Sequence, residues 1–276
     1  YVGKPIRLSS RRVGHSVIYF SYRKGGEGRA HEREKIMKSK KSYIKRFMKA
    51  LRENEREEYK DIEVQVILSG EHVLEGGNYV IGGNAKASIP NPWDTNVLVV
   101  DHGELTTDGR NGEDPYVFAD DHGVVNISFG GSVSAKGNAH VDASWDVFID
   151  TSENAYSTSL GCYVGMNGNS TGDIVDCVNA DIWDNATAHV NGSGHIRCRD
   201  NSKTYLKDCD HVDAFDAAEV VASGACEIHA WRCSKVDARD NTTVYLYHDA
   251  ECEPAEGGNV AVIKRSGNPW NYDDHR

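Results

Sequence analysis

The sequence predicts a mainly β protein, a parallel β-solenoid of eight-residue strand–turn units with two units to each coil and a small N-terminal α/β cap. Three observations carry this expectation. An octad pattern runs without a gap from residue 186, its odd positions are small or apolar, and two columns of residues recur in every second unit.

From Ala186 the units read ATAHVNGS, GHIRCRDN, SKTYLKDC, DHVDAFDA, AEVVASGA, CEIHAWRC, SKVDARDN, TTVYLYHD, AECEPAEG and GNVAVI. Position 3 alone runs Ala188, Ile196, Thr204, Val212, Val220, Ile228, Val236, Val244, Cys252, Val260. Positions 1, 3 and 5 alternate with polar positions 2 and 4, the signature of a strand with one buried face. Positions 6 to 8 favour Asp, Gly and Asn, which tolerate unusual φ and bond their own backbone in turns. The register extends back through units starting at 178, 170 and 162. It then passes a seven-residue unit, Ala155 to Gly161, and continues through units starting at 147, 139, 131, 123 and 115. The regular solenoid is therefore expected over 115–265, with its last unit ragged.

A single short strand cannot bury its face, but stacked units share one core and pair each other's backbone. Stacked coils set equivalent residues roughly 4.8 Å apart, so columns of like side chains reveal the coil length. Position 8 holds Asn138, Asn154, Asn169, Asn185 and Asn201 in every second unit, and position 6 holds Trp183, Arg199, Phe215, Trp231 and Tyr247. The intervening units have Asn191, Lys207, Ser223 and Arg239 at position 6, with no aromatic. Amides stack in ladders, and aromatics stack on each other or on guanidinium. Two units per coil explains both columns, whereas three would break them.

Residues 66–114 read as an irregular start of the same stack. GGN and GGNA turn signals lie between 71 and 89, and loops are expected at Pro90–Asn96 and Thr106–Asp114. Residues 1–65 differ in kind. A strand from Ser16 to Tyr22, a helix over 31–57 and a strand from Asp61 to Leu68 suggest a βαβ-like cap over the first coil. Ile44, Phe47, Met48 and Leu51 give the helix an apolar stripe. The loop Lys24–Arg29, KGGEGR, lacks the lysine and hydroxyl spacing of a Walker phosphate loop. Residues 266–276 read as a C-terminal tail.

The net charge of −11 hides two opposite parts. Residues 1–60 carry 18 Lys/Arg and 7 Asp/Glu, net +11, and the remainder carries 13 and 35, net −22. The simplest expectation is a basic arm docked on its own acidic body. Nucleic acid is expected only through the basic residues 38–52, where Lys38, Lys41, Lys45, Arg46, Lys49 and Arg52 line the polar side of the helix. No apolar run approaches the roughly 20 residues of a membrane helix. There is no signal-peptide pattern, an absence of little weight in a chain that opens at Tyr1. The seven cysteines, 162, 177, 198, 209, 226, 233 and 252, show no CxxC pairing and sit at inward or turn positions. That usage fits small buried hydrophobes in a reducing, cytoplasmic setting better than a disulfide framework.

In a sixteen-residue coil, position 2 of alternate units stacks Asn179, His195, His211, Glu227 and Thr243. Position 4 stacks Asp181, Arg197, Asp213, His229 and Tyr245. His211, Asp213, Glu227 and His229 are thereby grouped, and such imidazoles and carboxylates bind metals or move protons. The simpler reading is a solvated face with weak cross-strand pairs. With no Gly-x-Ser-x-Gly, HExxH or paired-carboxylate motif, no catalytic residue, metal or cofactor is expected; were the chain an enzyme, those four residues are the candidates. The expected binding residues are the aromatic edge of Trp183, Arg199, Phe215, Trp231 and Tyr247, facing a protein or a carbohydrate.

Units such as Gly137–Ala143, GNAHVDA, and Asp240–Leu246, DNTTVYL, resemble the GNAxVxA-type repeats of bacterial and phage-associated β-solenoid proteins. The resemblance covers over half the chain, and its motif is structural, implying a rod rather than an activity. The period of eight departs from the six-residue repeat of the left-handed-helix acyltransferases. The expected function is a non-catalytic scaffold or a protein/glycan interaction module. Its competitors are a polysaccharide-processing enzyme with a site on one solenoid face, and an acidic decoy for a nucleic-acid-binding protein. Ice binding ranks last, since no Thr-x-Thr column is present.

Overall fold

The computed structural model describes residues 40–53, 63–90, 92, 94–108, 114–232 and 234–265 in full, and the backbone of 9–13, 16–20 and 30–39. Within them the octads form the expected parallel solenoid, of about 12 turns. Strands β3 (Gln65–Val73) and β4 (Asn78–Ile89) each wrap a whole coil, and β5 (Asn96–Val99) with β6 (Glu104–Asp108) makes the next. Nineteen strands follow, from β7 (Tyr116–Ala119) to β25 (Ala261–Arg265), one for each unit of the sequence pattern.

From β5 onward each strand pairs with the second strand along, not the first, so the coil holds two units. His195 lies opposite His211, which lies opposite Glu227, in steps of sixteen residues. The ladder that contains these residues is the front face. On the back face Lys203 lies opposite Glu219, which lies opposite Lys235. The seven-residue unit is absorbed as one short coil, with Phe148 opposite Tyr163 and Tyr156 opposite Thr171. The first coils are longer, since Asn78 faces Asn96 and Asn96 faces Tyr116.

Odd positions face inward. Val212, Val220, Val236 and Val244 are buried in one continuous cluster that runs from Tyr79 to Leu246. Every buried methylene contributes about 0.8 kcal/mol, so the inward column is the main source of stability. The pattern weakens at the last coil, where Cys252 and Val260 are only half-buried: β25 pairs with β23, and among the described residues no further strand pairs with β24. Position 1 also departs from expectation before three front strands. Cys177, Ser193 and Cys209 at position 8 turn inward, and Val178 and Asp210 at position 1 turn out. A tight corner seats one side chain, and the smaller one takes the place.

Position 7 carries the turn. In every unit from the one starting at 115 to the one starting at 242 it has positive φ, from Asp121 at 57° to His248 at 56°. Asp and Gly fill most of these places, as left-handed backbone favours. Phe129, Trp145, Glu153, Arg232 and His248 hold the same conformation without that advantage. The Asn column lies at this exposed turn, where Asn185 Nδ2 donates to Asn169 Oδ1 at 3.5 Å.

The N-terminal part differs from the expected cap. β2 (Ser16–Phe20) pairs antiparallel with β1 (Ser9–Val13) in a sheet of its own, and among the described residues it makes no ladder with β3. Helix α1 (Ala30–Glu53) buries Ile44, Phe47 and Leu51 against Val64, Val80, Leu98, Val100 and Phe118. Val80, Leu98 and Phe118 form one outward column of the front face. The helix therefore seals the flank of the first coils rather than their end. Arg46 pairs with Asp120 at 2.8 Å and Asp121 at 2.9 Å, and the Tyr43 hydroxyl donates to Asp101. The basic arm is docked on its own acidic body at this point. Two further expectations change: the Gly82–Gly83 turn lies inside β4, with Gly83 at φ 60°, and Thr106–Asp108 belong to β6. The loop at 24–29 and the tail at 266–276 lie outside the described residues.

Val220 and Val221 are neighbours facing opposite ways, one in the core and one on the back face. Val220→Asp places a carboxylate in an apolar interior and is expected to destabilise the rod by roughly 3–5 kcal/mol. Val221→Asp is expected to cost less than about 1 kcal/mol. Urea unfolding of the two variants checks this, and equal midpoints would refute the assigned register.

Candidate functional site

Four front strands build the polar cluster: β17 (His195–Cys198), β19 (His211–Ala214), β21 (Glu227–Trp231) and β23 (Thr243–Tyr247). Each is held by inward neighbours, Ile196, Val212, Ile228 and Val244, all fully buried. Pleating then forces positions 2 and 4 outward, at the coil spacing. The residues His211, Asp213, Glu227 and His229 come together as the columns predict.

The cluster is larger than the sequence reading made it. His195 Nε2 lies 2.9 Å from Asp213 Oδ2, the shortest contact of the group. His211 Nε2 lies 3.4 Å from Asp213 Oδ1, and His211 Nδ1 lies 3.8 Å from Glu227 Oε1. His229 Nε2 lies 3.0 Å from Glu227 Oε1, while its Nδ1 meets the Tyr247 hydroxyl at 3.4 Å. Asp213 bridges two imidazoles with a side chain that is 10% exposed. Adjacent rings sit 5.0 Å apart from His195 to His211 and 4.8 Å from His211 to His229. His195 and Tyr247 were missed as members because each joins diagonally, from one position to the position two later in the next coil, 18 residues away. Two sets of donors, His195–His211–Asp213 and His211–Glu227–His229, could each hold a metal ion.

The aromatic edge exists, but its rings face each other. Phe215 stacks on Trp231 at 6.1 Å, Trp231 on Tyr247 at 3.9 Å, and the Arg199 guanidinium lies over Phe215 at 5.6 Å. Trp231 and Tyr247 are 5% and 4% exposed, so neither offers a ring face to a partner. Burial also pushes the Tyr247 hydroxyl above its ordinary pKa. Trp183, half-buried, lays the tip of its ring beside Gly165. Tyr247 meets His229, and of the five residues of this column Arg199 is exposed and Trp183 and Phe215 are half-buried.

The exposed aromatics lie elsewhere. Trp145, Phe148 and Val178 are 47%, 56% and 48% exposed. Phe148 stacks on Tyr163 of the next coil at 4.7 Å, with an interplanar angle of 13°. Trp145 sits in left-handed backbone at φ 61°, and Gly161 beneath it leaves room for the indole, since a Cβ there would lie 2.8 Å from the ring. The Val178 amide donates to Cys162 O, which sets it beside Tyr163. These residues therefore share one edge of three successive coils. The octad pattern conceals them because Trp145 and Val178 occupy turn and inward positions.

The described cysteines are free. Burial pushes Cys162 and Cys252 up to about 11 and Cys198 up to about 12, so these thiols are poor nucleophiles. In comparisons with protein-family models, curated proteins and solved structures, nothing matches this chain.

Removal of the middle ring of the stack is expected to be costly. Trp231→Ala should destabilise by about 3–5 kcal/mol, as truncation of a buried tryptophan does. Phe148→Ala, on an exposed ring, should cost less than about 1 kcal/mol. A denaturation series in which the two variants rank the other way would reverse the roles assigned to these rings.

Proposed function

We propose that this chain is a non-catalytic interaction module: a rigid β-solenoid that presents an exposed aromatic edge to a protein or glycan partner. The observation that carries the reading is the placement of Trp145, Phe148 and Val178. Trp145, Phe148 and Val178 are half-exposed, with Tyr163 stacked on Phe148 on the coil between Phe148 and Val178, and exposed apolar side chains grouped in this way mark interaction surfaces. Tryptophan and tyrosine are also the residue types that dominate binding energy at interfaces and stack on sugar rings. No helix among the described residues is long and apolar enough to cross a membrane.

A polysaccharide-processing enzyme is the second reading, favoured by the 2.9 Å contact of His195 with Asp213 on the same face. One set of measurements separates the two. A photo-crosslinking residue at position 148 is expected to capture a partner that the same residue at position 221, on the back face, does not. A glycan panel is expected to show binding lost in Trp145→Ala/Phe148→Ala, or none, and no turnover. Turnover of any glycan that disappears in His211→Ala or Asp213→Ala, or equal capture from both faces, overturns the proposal.

A further inference from the structure

We infer that the front face carries a site for a divalent transition-metal ion of the zinc class, with His195, His211 and Asp213 as its protein ligands. The site is distinct from the aromatic patch and does not depend on it. Two imidazole nitrogens and one carboxylate oxygen are the donor set such ions favour, with positions left for water or a further group.

The geometry fits the ion without rebuilding the backbone. Zinc holds nitrogen and oxygen donors at roughly 2.0–2.2 Å, so two donors of a tetrahedral site stand roughly 3.3–3.6 Å apart. Here the His211–Asp213 contact of 3.4 Å lies within that range and the His195–Asp213 contact of 2.9 Å lies below it, the two imidazoles meeting different oxygens of the carboxylate. All three donors lie within 4.8 Å of one another. Admitting the ion requires the His195 and Asp213 donors to separate by roughly half an ångström. The strands that carry them are fixed by Ile196 and Val212, both fully buried.

The chemistry of the cluster points the same way. Three imidazoles and two carboxylates are packed together, and Arg197, the register partner of Asp213, pairs with Asp181 at 3.4 Å on its other side. Asp213 is the best shielded of the carboxylates, and its two oxygens face different imidazoles. A metal takes imidazole nitrogens and carboxylate oxygens free of protons, so its binding weakens as pH falls. His229 and Glu227 offer a second donor set that shares His211, but it uses the other nitrogen of that ring and the more exposed carboxylate. The inner set is therefore the one assigned.

The test uses the full chain, stripped with a chelator and titrated with Co²⁺, whose visible absorption reports nitrogen and oxygen coordination, and then with Zn²⁺ in competition. One ion per chain is expected, with Co²⁺ displaced by Zn²⁺ and the melting temperature raised by Zn²⁺. His195→Ala and His211→Ala should each weaken binding by more than the roughly 10–100-fold that loss of an outer-shell partner costs. His229→Ala should change it by less than about threefold. Circular dichroism identifies variants that still fold, and His195→Gln serves where alanine does not. Absence of a Co²⁺ spectrum and of any melting shift overturns the site. Binding that survives His195→Ala but is lost in His229→Ala overturns its assignment to the inner triad.

Discussion

The backbone ladder between coils is the interaction on which everything else rests. In the regular coils each strand gives its hydrogen bonds to the coil above and the coil below, not to its neighbour in sequence. This pairing forces every second unit into register, which in turn turns odd side chains inward and sets even ones at a fixed outward spacing. Position 7 makes the ladder possible, because a left-handed residue reverses the chain within a turn of about three residues. The columns on the surface are consequences of that constraint. They are not separately encoded features.

Much of this was legible in the sequence because a repeat states its rule many times. The position-3 series from Ala188 to Val244 fixes the buried face, and the aromatics in alternate units fix the coil length. What was not legible falls into two kinds. Helix α1 has an apolar stripe that says it packs, but not on what; the flank column of Val80, Leu98 and Phe118 is visible only once the irregular first coils are aligned. Likewise the strand at Ser16 finds its partner in β1, a pairing that no periodicity announces.

The second kind concerns depth. Column spacing shows that Phe215, Trp231 and Tyr247 stack, yet it cannot show how far they sink, and two of the three are buried. The polar cluster was found but under-counted, since in-register columns omit diagonal neighbours. His195 reaches Asp213, and Tyr247 reaches His229, across that diagonal. Reading both offsets would have recovered the full set. The sequence also lacks any local metal motif, for the physical reason that its donors are separated by a whole coil of chain and brought together only by stacking.

The sixteen-residue coil turns the chain into a ruler. Tyr163 in the aromatic edge and His211 in the polar cluster are linked through Asn179 and His195, three coils in all, or roughly 14 Å along the rod. That distance is set by counting coils rather than by any contact between the two places. Gain or loss of one complete coil would slide one feature past the other by roughly 4.8 Å while leaving both intact and facing the same way. Spacing between sites can thus change in equal increments without the redesign that an ordinary globular fold would require.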